Sequence, residues 1–249
     1  MPNHAIFLLA ALPLLFSPAI RAQDTTLELE LGPVWQERNR VQIPNTAAAD
    51  RFSLTDIAGA GPWAGGRLTL NRPINGGPHG LRVVLAPLSY VEQAVLDNDL
   101  RFAGGNFKGG EPLQAEYKFN SWRVGYRYQF HDANGWLLWV GATAKIRDAK
   151  IELTQGASNA IDDDLGFVPL LHLAGEYHFT PRWSFRFDFD GLAGGPGRAF
   201  DIGLKLGYRL DEHWRVGVGY RGLEGGVDTD NVYNFAWFSG AQLNAEYRF

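Results

Sequence analysis

The stretch YNFAWFSGAQLNAEYRF, Tyr233 to Phe249, decides the fold. Its odd positions are Tyr233, Phe235, Trp237, Ala241, Leu243, Ala245, Tyr247 and Phe249, with Ser239 the one polar exception. Its even positions are mostly polar or small: Asn234, Ala236, Phe238, Gly240, Gln242, Asn244, Glu246 and Arg248. A period of two places successive side chains on opposite faces of a β-strand. Soluble strands usually run about 3–10 residues, so this one is long. Its length and its one apolar face suit a tilted strand crossing a bilayer, with lipid outside and a polar lumen inside.

Working backwards, the alternation recurs. Trp214, Val216, Val218 and Tyr220 alternate with Arg215, Gly217, Gly219 and Arg221. Phe200, Ile202, Leu204, Leu206, Tyr208 and Leu210 alternate with Asp201, Gly203, Lys205, Gly207, Arg209 and Asp211. Trp183, Phe185, Phe187 and Phe189 face away from Ser184, Arg186, Asp188 and Asp190. Similar patterns run through 167–179 and 136–147. A soluble sandwich would bury such faces against a second sheet and would use shorter strands. The pattern therefore predicts an all-β, transmembrane, antiparallel up-and-down β-barrel of ten strands. Counts of eight or twelve stay open, twelve requiring 51–57 and 100–107 to pair into the wall.

Leu113, Ala115, Tyr117 and Phe119 hold odd positions, whereas Trp122, Val124, Tyr126, Tyr128 and Phe130 hold even ones. If both sets face lipid, one extra residue at Asn120-Ser121 must shift the phase, so a β-bulge is expected there. Gln114, Glu116 and Lys118 then point into the lumen. Further strands are expected near 25–39, at 63–71 and at 81–94, with prolines 33, 87 and 169 marking bulges or strand ends. The segments 75–80, 131–135, 180–182 and 211–213 are short and turn-like. The segments 40–62, 95–112 and 154–164 read as long loops. Short periplasmic turns and longer outer loops are the usual asymmetry of membrane barrels.

The ending Glu246-Tyr247-Arg248-Phe249 resembles the C-terminal signature of Gram-negative outer-membrane β-barrels. That resemblance implies an assembly signal at Tyr247 and Phe249, read by the barrel-assembly machinery. It also implies periplasmic chaperones as partners, and outer-membrane lipid with lipopolysaccharide as surroundings. Residues 1–22 agree with this address. The apolar run AIFLLAALPLLF is followed by small residues up to Ala22, the pattern of a secretory signal peptide cleaved after that residue. The run is too short for a spanning helix, which needs about twenty apolar residues, and Pro13 interrupts it. Residues 23–249 are expected to form one barrel domain in the outer membrane.

Composition narrows the chemistry. There are no cysteines, so disulfides and thiolate metal sites are excluded. The formal charge of −4 argues against a nucleic-acid partner. The faces predicted to line the lumen are densely charged: Glu116, Lys118, Arg123, Arg127, Lys145, Arg147, Glu176, Arg186, Asp188, Asp190, Asp201, Lys205, Arg209, Arg215, Arg221, Glu246 and Arg248. Glu28, Glu30, Arg67, Arg82 and Asp211 join them. Such a set reads first as an interlocked ion-pair core and second as a narrow, weakly anion-preferring pore.

No catalytic, cofactor or metal site stands out. His172, Glu176 and His178 share one strand face but have nonspecific spacing. Asp162-Asp163-Asp164 reads as solvated loop acids rather than a calcium site. Omptin proteases, ten-stranded barrels, use an aspartate pair opposite an Asp-His pair at the outer rim. Here the Asp211-Glu212-His213 run falls in a short turn at the other end. The expected function is that of a non-enzymatic barrel, structural or weakly pore-forming. A surface adhesin or binding protein acting through outer loops is the alternative. A lipid- or peptide-modifying enzyme has no motif in its favour.

Overall fold

A computed structural model describes residues 25–249; the expected signal peptide, residues 1–22, lies outside them. In chain order the elements are β1 (Thr26–Gln42), β2 (Phe52–Ser53), α1 (Leu54–Ala58), β3 (Trp63–Pro73), β4 (His79–Ala86), β5 (Ser89–Val95), β6 (Leu100–Phe102) and β7 (Gly105–Phe107). They continue as β8 (Pro112–Ala133), β9 (Trp136–Gln155), β10 (Ser158–His178), β11 (Trp183–Gly194), β12 (Gly197–Arg209), β13 (Trp214–Asp228) and β14 (Tyr233–Arg248). Every wall strand pairs antiparallel with its neighbours, and β14 closes onto β1 from Thr26↔Arg248 to Gln42↔Tyr233. Pro87 separates β4 from β5, and both pieces pair with β8 in the same wall position. The result is a closed ten-stranded barrel. The segments that would have made twelve do not enter the wall as strands of their own. β2 is a two-residue cap on β1, and β6–β7 form a separate hairpin.

Both ends of the described chain lie on one side, where the Phe249 amide donates to the Thr25 carbonyl at 3.0 Å. The turns on that side are short. At Asn75-Gly76 the backbone enters the left-handed region, with φ of 54° and 65°, which Asn and Gly tolerate. On the opposite side, 43–62 and 96–111 form the two long connections. The expected loop at 154–164 is absent. β9 and β10 continue as a hairpin to a tight turn at Gly156-Ala157. They rise well above β11, which ends at Gly194, so β10 pairs with β11 only from Leu171 onward.

The bulge expected at Asn120-Ser121 is also absent. β8 keeps one register against β9 from Gln114 to Gln129. Odd positions of β8 therefore point inward throughout, and Phe119 and Trp122 lie on opposite faces. Leu113, Ala115 and Tyr117 are buried inside the barrel rather than facing lipid. Glu116 and Lys118 face outward, where they pair with Lys150 at 2.7 Å and Asp148 at 2.6 Å. The lining itself changes character along the axis: it is charged at one end and apolar at the other. The register shifts instead fall at Glu37 in β1 and at Phe130 in β8.

The apolar end is a closed core. Val41, Leu54, Tyr90, Leu113, Ala115, Tyr117, Leu153 and Phe238 pack with Phe102 and Phe107 from the β6–β7 hairpin. Trp63, Tyr90, Tyr117 and Phe238 form a run of rings with centroids 3.8, 5.3 and 5.6 Å apart. The two long connections close over this core as a lid and are tied to each other. Ala103 donates to Ile43 O at 2.7 Å, and Arg101 pairs with Asp50 at 2.6 Å.

Candidate functional site: the lumen and its vestibule

Below the apolar core, alternation delivers charged side chains from almost every wall strand into the axis. Arg123 of β8 reaches Asp190 of β11 at 2.7 Å and Asp201 of β12 at 2.5 Å. Arg82 donates to Asp190 at 2.8 Å, and Arg67 to Asp201 at 3.1 Å. Arg221 bridges Asp201 at 2.5 Å and Asp188 at 3.1 Å. Lys205 holds Glu28 at 2.7 Å and Glu30 at 2.5 Å. Nearer the short-turn end, Arg186 joins Glu28 at 2.8 Å to Glu246 at 2.7 Å. Arg215 lies 2.9 Å from Glu176, which also meets His178 at 3.0 Å. Arg123, Asp190 and Asp201 are at most 4% exposed. Uncompensated charge at such depth is costly, so each charge here sits against its opposite.

Of the residues expected to line the lumen, the structure gathers Arg123, Glu176, Arg186, Asp188, Asp190, Asp201, Lys205, Arg215, Arg221 and Glu246 into this network. Arg147 sits above it and pairs with Asp164. Arg209 closes the end of β12, and Arg248 stands at the mouth. Lys145 and Arg127 point inward without a carboxylate partner among the described residues. Lys145 lies 4.6 Å from the Phe119 ring, and Arg127 lies 5.0 Å from that of Trp139. Glu116 and Lys118 do not belong to the lumen, for the reason of parity given above. Asp211 leaves it too. Its carboxylate caps a turn by accepting from the His213 and Trp214 amides at 2.8 Å, which holds its pKa below the ordinary range. His172 Nδ1 meets Asp190 at 2.8 Å and His178 meets Glu176, so the two histidines serve different carboxylates.

The network leaves a cavity of about 660 Å³ beneath it, open at the short-turn end and lined by Arg82, Arg127, Trp139, His172, Glu176 and Arg186 among others. Among the described residues no passage of that size continues upward: a pocket of about 80 Å³ lies between Arg123 and Phe238, and the apolar core closes over it.

The outer surface shows where the wall sits. Leu29, Leu31, Val124, Val140, Ile146, Leu171, Leu204, Leu206, Val218 and Leu243 are all exposed on its outward face. At the short-turn end rings gather in pairs: Trp136–Tyr177 at 4.8 Å, Trp183–Tyr208 at 4.9 Å and Trp214–Tyr247 at 5.0 Å. An apolar band with an aromatic girdle, around a closed wall that leaves no strand edge in the band, is what a bilayer requires of a β-protein. The chain is a closed transmembrane β-barrel. Above the band the outer face of β8–β9 turns polar, at Asn120, Asp148, Lys118 and Lys150. This marks where the barrel leaves the membrane.

No protein-family model matches the barrel, and no curated protein matches it. Solved structures do. The attachment invasion locus protein Ail of Yersinia pestis, in complex with the heparin analogue sucrose octasulfate, is similar at 13% identity and TM-score 0.39, over 91% of this chain and 99% of that one. The outer membrane protease OmpT of Escherichia coli is similar at 11% identity and TM-score 0.48, over 93% and 98%. Neisserial surface protein A is similar at 12% identity and TM-score 0.37, over 90% and 97%. The roles of these three differ from one another, and none is transferred to this barrel.

Proposed function

We propose that the protein is a non-enzymatic, non-conducting barrel whose lumen is a structural ion-pair core. The observation that carries this reading is the double closure of the axis. Arg123, bonded to both Asp190 and Asp201, spans the lumen from β8 to β11 and β12. The packed rings of Tyr90, Tyr117 and Phe238 lie above it. An ion entering from the short-turn end would have to break buried pairs and then cross an apolar layer. Single-channel recording in planar bilayers tests this. The expected record is flat apart from rare transients. Steady, porin-like conductance would overturn it.

The binding-protein reading draws support from the lid. Its two connections are fastened to each other and to the core, through Asp50–Arg101 and Gln36 Nε2 to Gly59 O at 3.1 Å, so they present a fixed surface. Replacing 96–111 by a short turn, with the barrel still folded, should abolish surface binding if the lid is what a partner meets.

A further inference from the structure

β10 is paired on both sides for only part of its length. β9 runs beside it from Ser158 to Tyr177, but β11 joins its other side only from Leu171 to His178. Above Leu171, one row of β10 backbone N–H and C=O groups therefore has no strand beside it among the described residues. The part from Ser158 to Asp164 stands above Asp148, beyond the level at which the barrel leaves the membrane. An open edge of this kind is a template for another strand, and peptide partners of other proteins dock by adding themselves to one.

The ribbon that carries the edge is held in place. Gln155, next to its tip, accepts from the Lys108 amide at 2.6 Å and donates to the Lys108 carbonyl at 2.9 Å. The β6–β7 hairpin packs against Ala160, so closely that a Cβ on Gly105 would come within 2.8 Å of the Ala160 Cβ. The edge is thus preorganised, and a strand added to it need order only itself.

The side chains along the edge say what that strand must carry. Period two sets Ile161, Asp163 and Leu165 on the outer face, and Ala160, Asp162 and Asp164 on the inner one. Asp164 is taken by Arg147. Lys150, the cross-strand neighbour of Asp163, holds Glu116 at 2.7 Å and Glu152 at 2.9 Å instead. Asp162 and Asp163 are left without an ion pair among the described residues. Burial, and then Asp164 and Asp163 beside it, push the Asp162 carboxyl above its ordinary value. A second copy of the chain pairing across this stretch would lay carboxylate against carboxylate, which opposes the pairing. A strand with cations at those positions gains what a second copy would lose. Ile161 and Leu165, 47% and 75% exposed, supply apolar flanks.

We propose that the open edge of β10 from Ser158 to Leu165 docks an extended, basic segment of another protein, added as an antiparallel strand. Two consecutive Lys or Arg residues of that segment face Asp162 on the inner side and Asp163 on the outer side. Apolar residues lie opposite Ile161 and Leu165. The site does not depend on whether the axis conducts.

The test uses the folded full barrel in detergent micelles, with folding checked by heat-modifiable migration. The probe is the end-capped, fluorophore-labelled peptide Thr-Val-Thr-Lys-Lys-Val-Thr. Fluorescence anisotropy should show saturable binding, weakened at least about tenfold when Asp162→Asn and Asp163→Asn are combined. Replacing both peptide lysines by glutamate should abolish binding. Two N-methylated peptides separate strand addition from plain charge attraction, because alternate amides of an added strand face β10 and the others face away. Methyl groups on one alternate set should abolish binding, and on the other set leave it within about twofold. Equal binding of the two methylated peptides would overturn the proposal. So would binding unchanged in the double variant, equal binding of the glutamate peptide, or no saturable binding of the parent peptide to folded barrel.

Discussion

Asp190 is the carboxylate on which the lumen converges: it accepts from Arg82, Arg123, Thr143 and His172 at 2.7–3.1 Å. Neutralising it removes a buried carboxylate from two guanidinium groups, leaving Arg123 on Asp201 at 2.5 Å and Arg82 on Asp188 at 3.4 Å. Asp190→Asn should therefore cost about 1–3 kcal/mol in urea unfolding of the folded barrel, less than breaking a buried pair whose cation has no second partner. The outward pair Lys118–Asp148, about a third exposed, should contribute far less, and Lys118→Gln should leave the midpoint nearly unchanged. The lid behaves differently again. The Arg101 guanidinium and amide both donate to Asp50 and hold its carboxyl below the ordinary value of 3.8. A depressed carboxyl stabilises the folded lid above that range and loses its contribution as pH falls through the folded value. Hydrogen exchange at 43–50 and 100–107, corrected for intrinsic rates, should stay equally protected at pH 7 and pH 5 and loosen slightly only below the ordinary carboxylate value of 3.8. Equal protection at all three would show that the pair does not fasten the lid.

At the scale of an element, β8 divides into two halves with opposite contents on one face. Its inward residues run from Leu113 and Tyr117, in the apolar core, to Arg123 and Arg127, in the charged lumen. Thiol labelling from outside separates this arrangement from a bulged one. Glu116→Cys should react with a membrane-impermeant maleimide on intact cells, and Ala115→Cys, 1% exposed in the parent, should not. The opposite result would restore the bulge. This is also where the sequence stops being legible. Period-two alternation identifies a strand and its two faces, but it does not say which face is inside. At the level of the lipid band in β9 to β14 the apolar face is the lipid face, and reading it so points Arg186, Asp188, Asp201, Lys205 and Glu246 into the lumen. In upper β8 the apolar face is inside, because a lid built from residues far along the chain covers it. No local signal in 112–120 reports that lid. The same blindness hides the vestibule pair. Trp139 and Arg127 are readable as inward, but the absence of an acid near Arg127 depends on side chains from β10, β13 and β14. At the end of β14, Phe249 packs edge-on against Tyr247 at 5.0 Å, in the girdle. Deleting Phe249 should reduce the yield of heat-modifiable barrel in the outer membrane more than Lys205→Gln does, measured at matched expression. Equal yields would count against an assembly signal there.

For the whole molecule, the closure that makes a bilayer-compatible wall also decides how the chain must finish folding. β1 and β14 come from opposite ends of the described chain, yet they pair over nearly their full lengths, Leu31 lying opposite Leu243. Every other wall contact joins neighbours in sequence or nearly so. Until this seam shuts, the growing sheet has two unsatisfied edges, and bringing them together carries the largest loop-closure entropy in the molecule. Each edge is complementary to the other and therefore also to the other edge of a second, equally unfinished copy. Refolding at rising protein concentration should thus divert material into dimers that exchange their seams, while a disulfide engineered across Leu31 and Leu243 and formed during dilute refolding should suppress them. A crowded membrane would feel the same competition. The first strand made waits for the last, and the interval between them is when the chain is most open to a stranger.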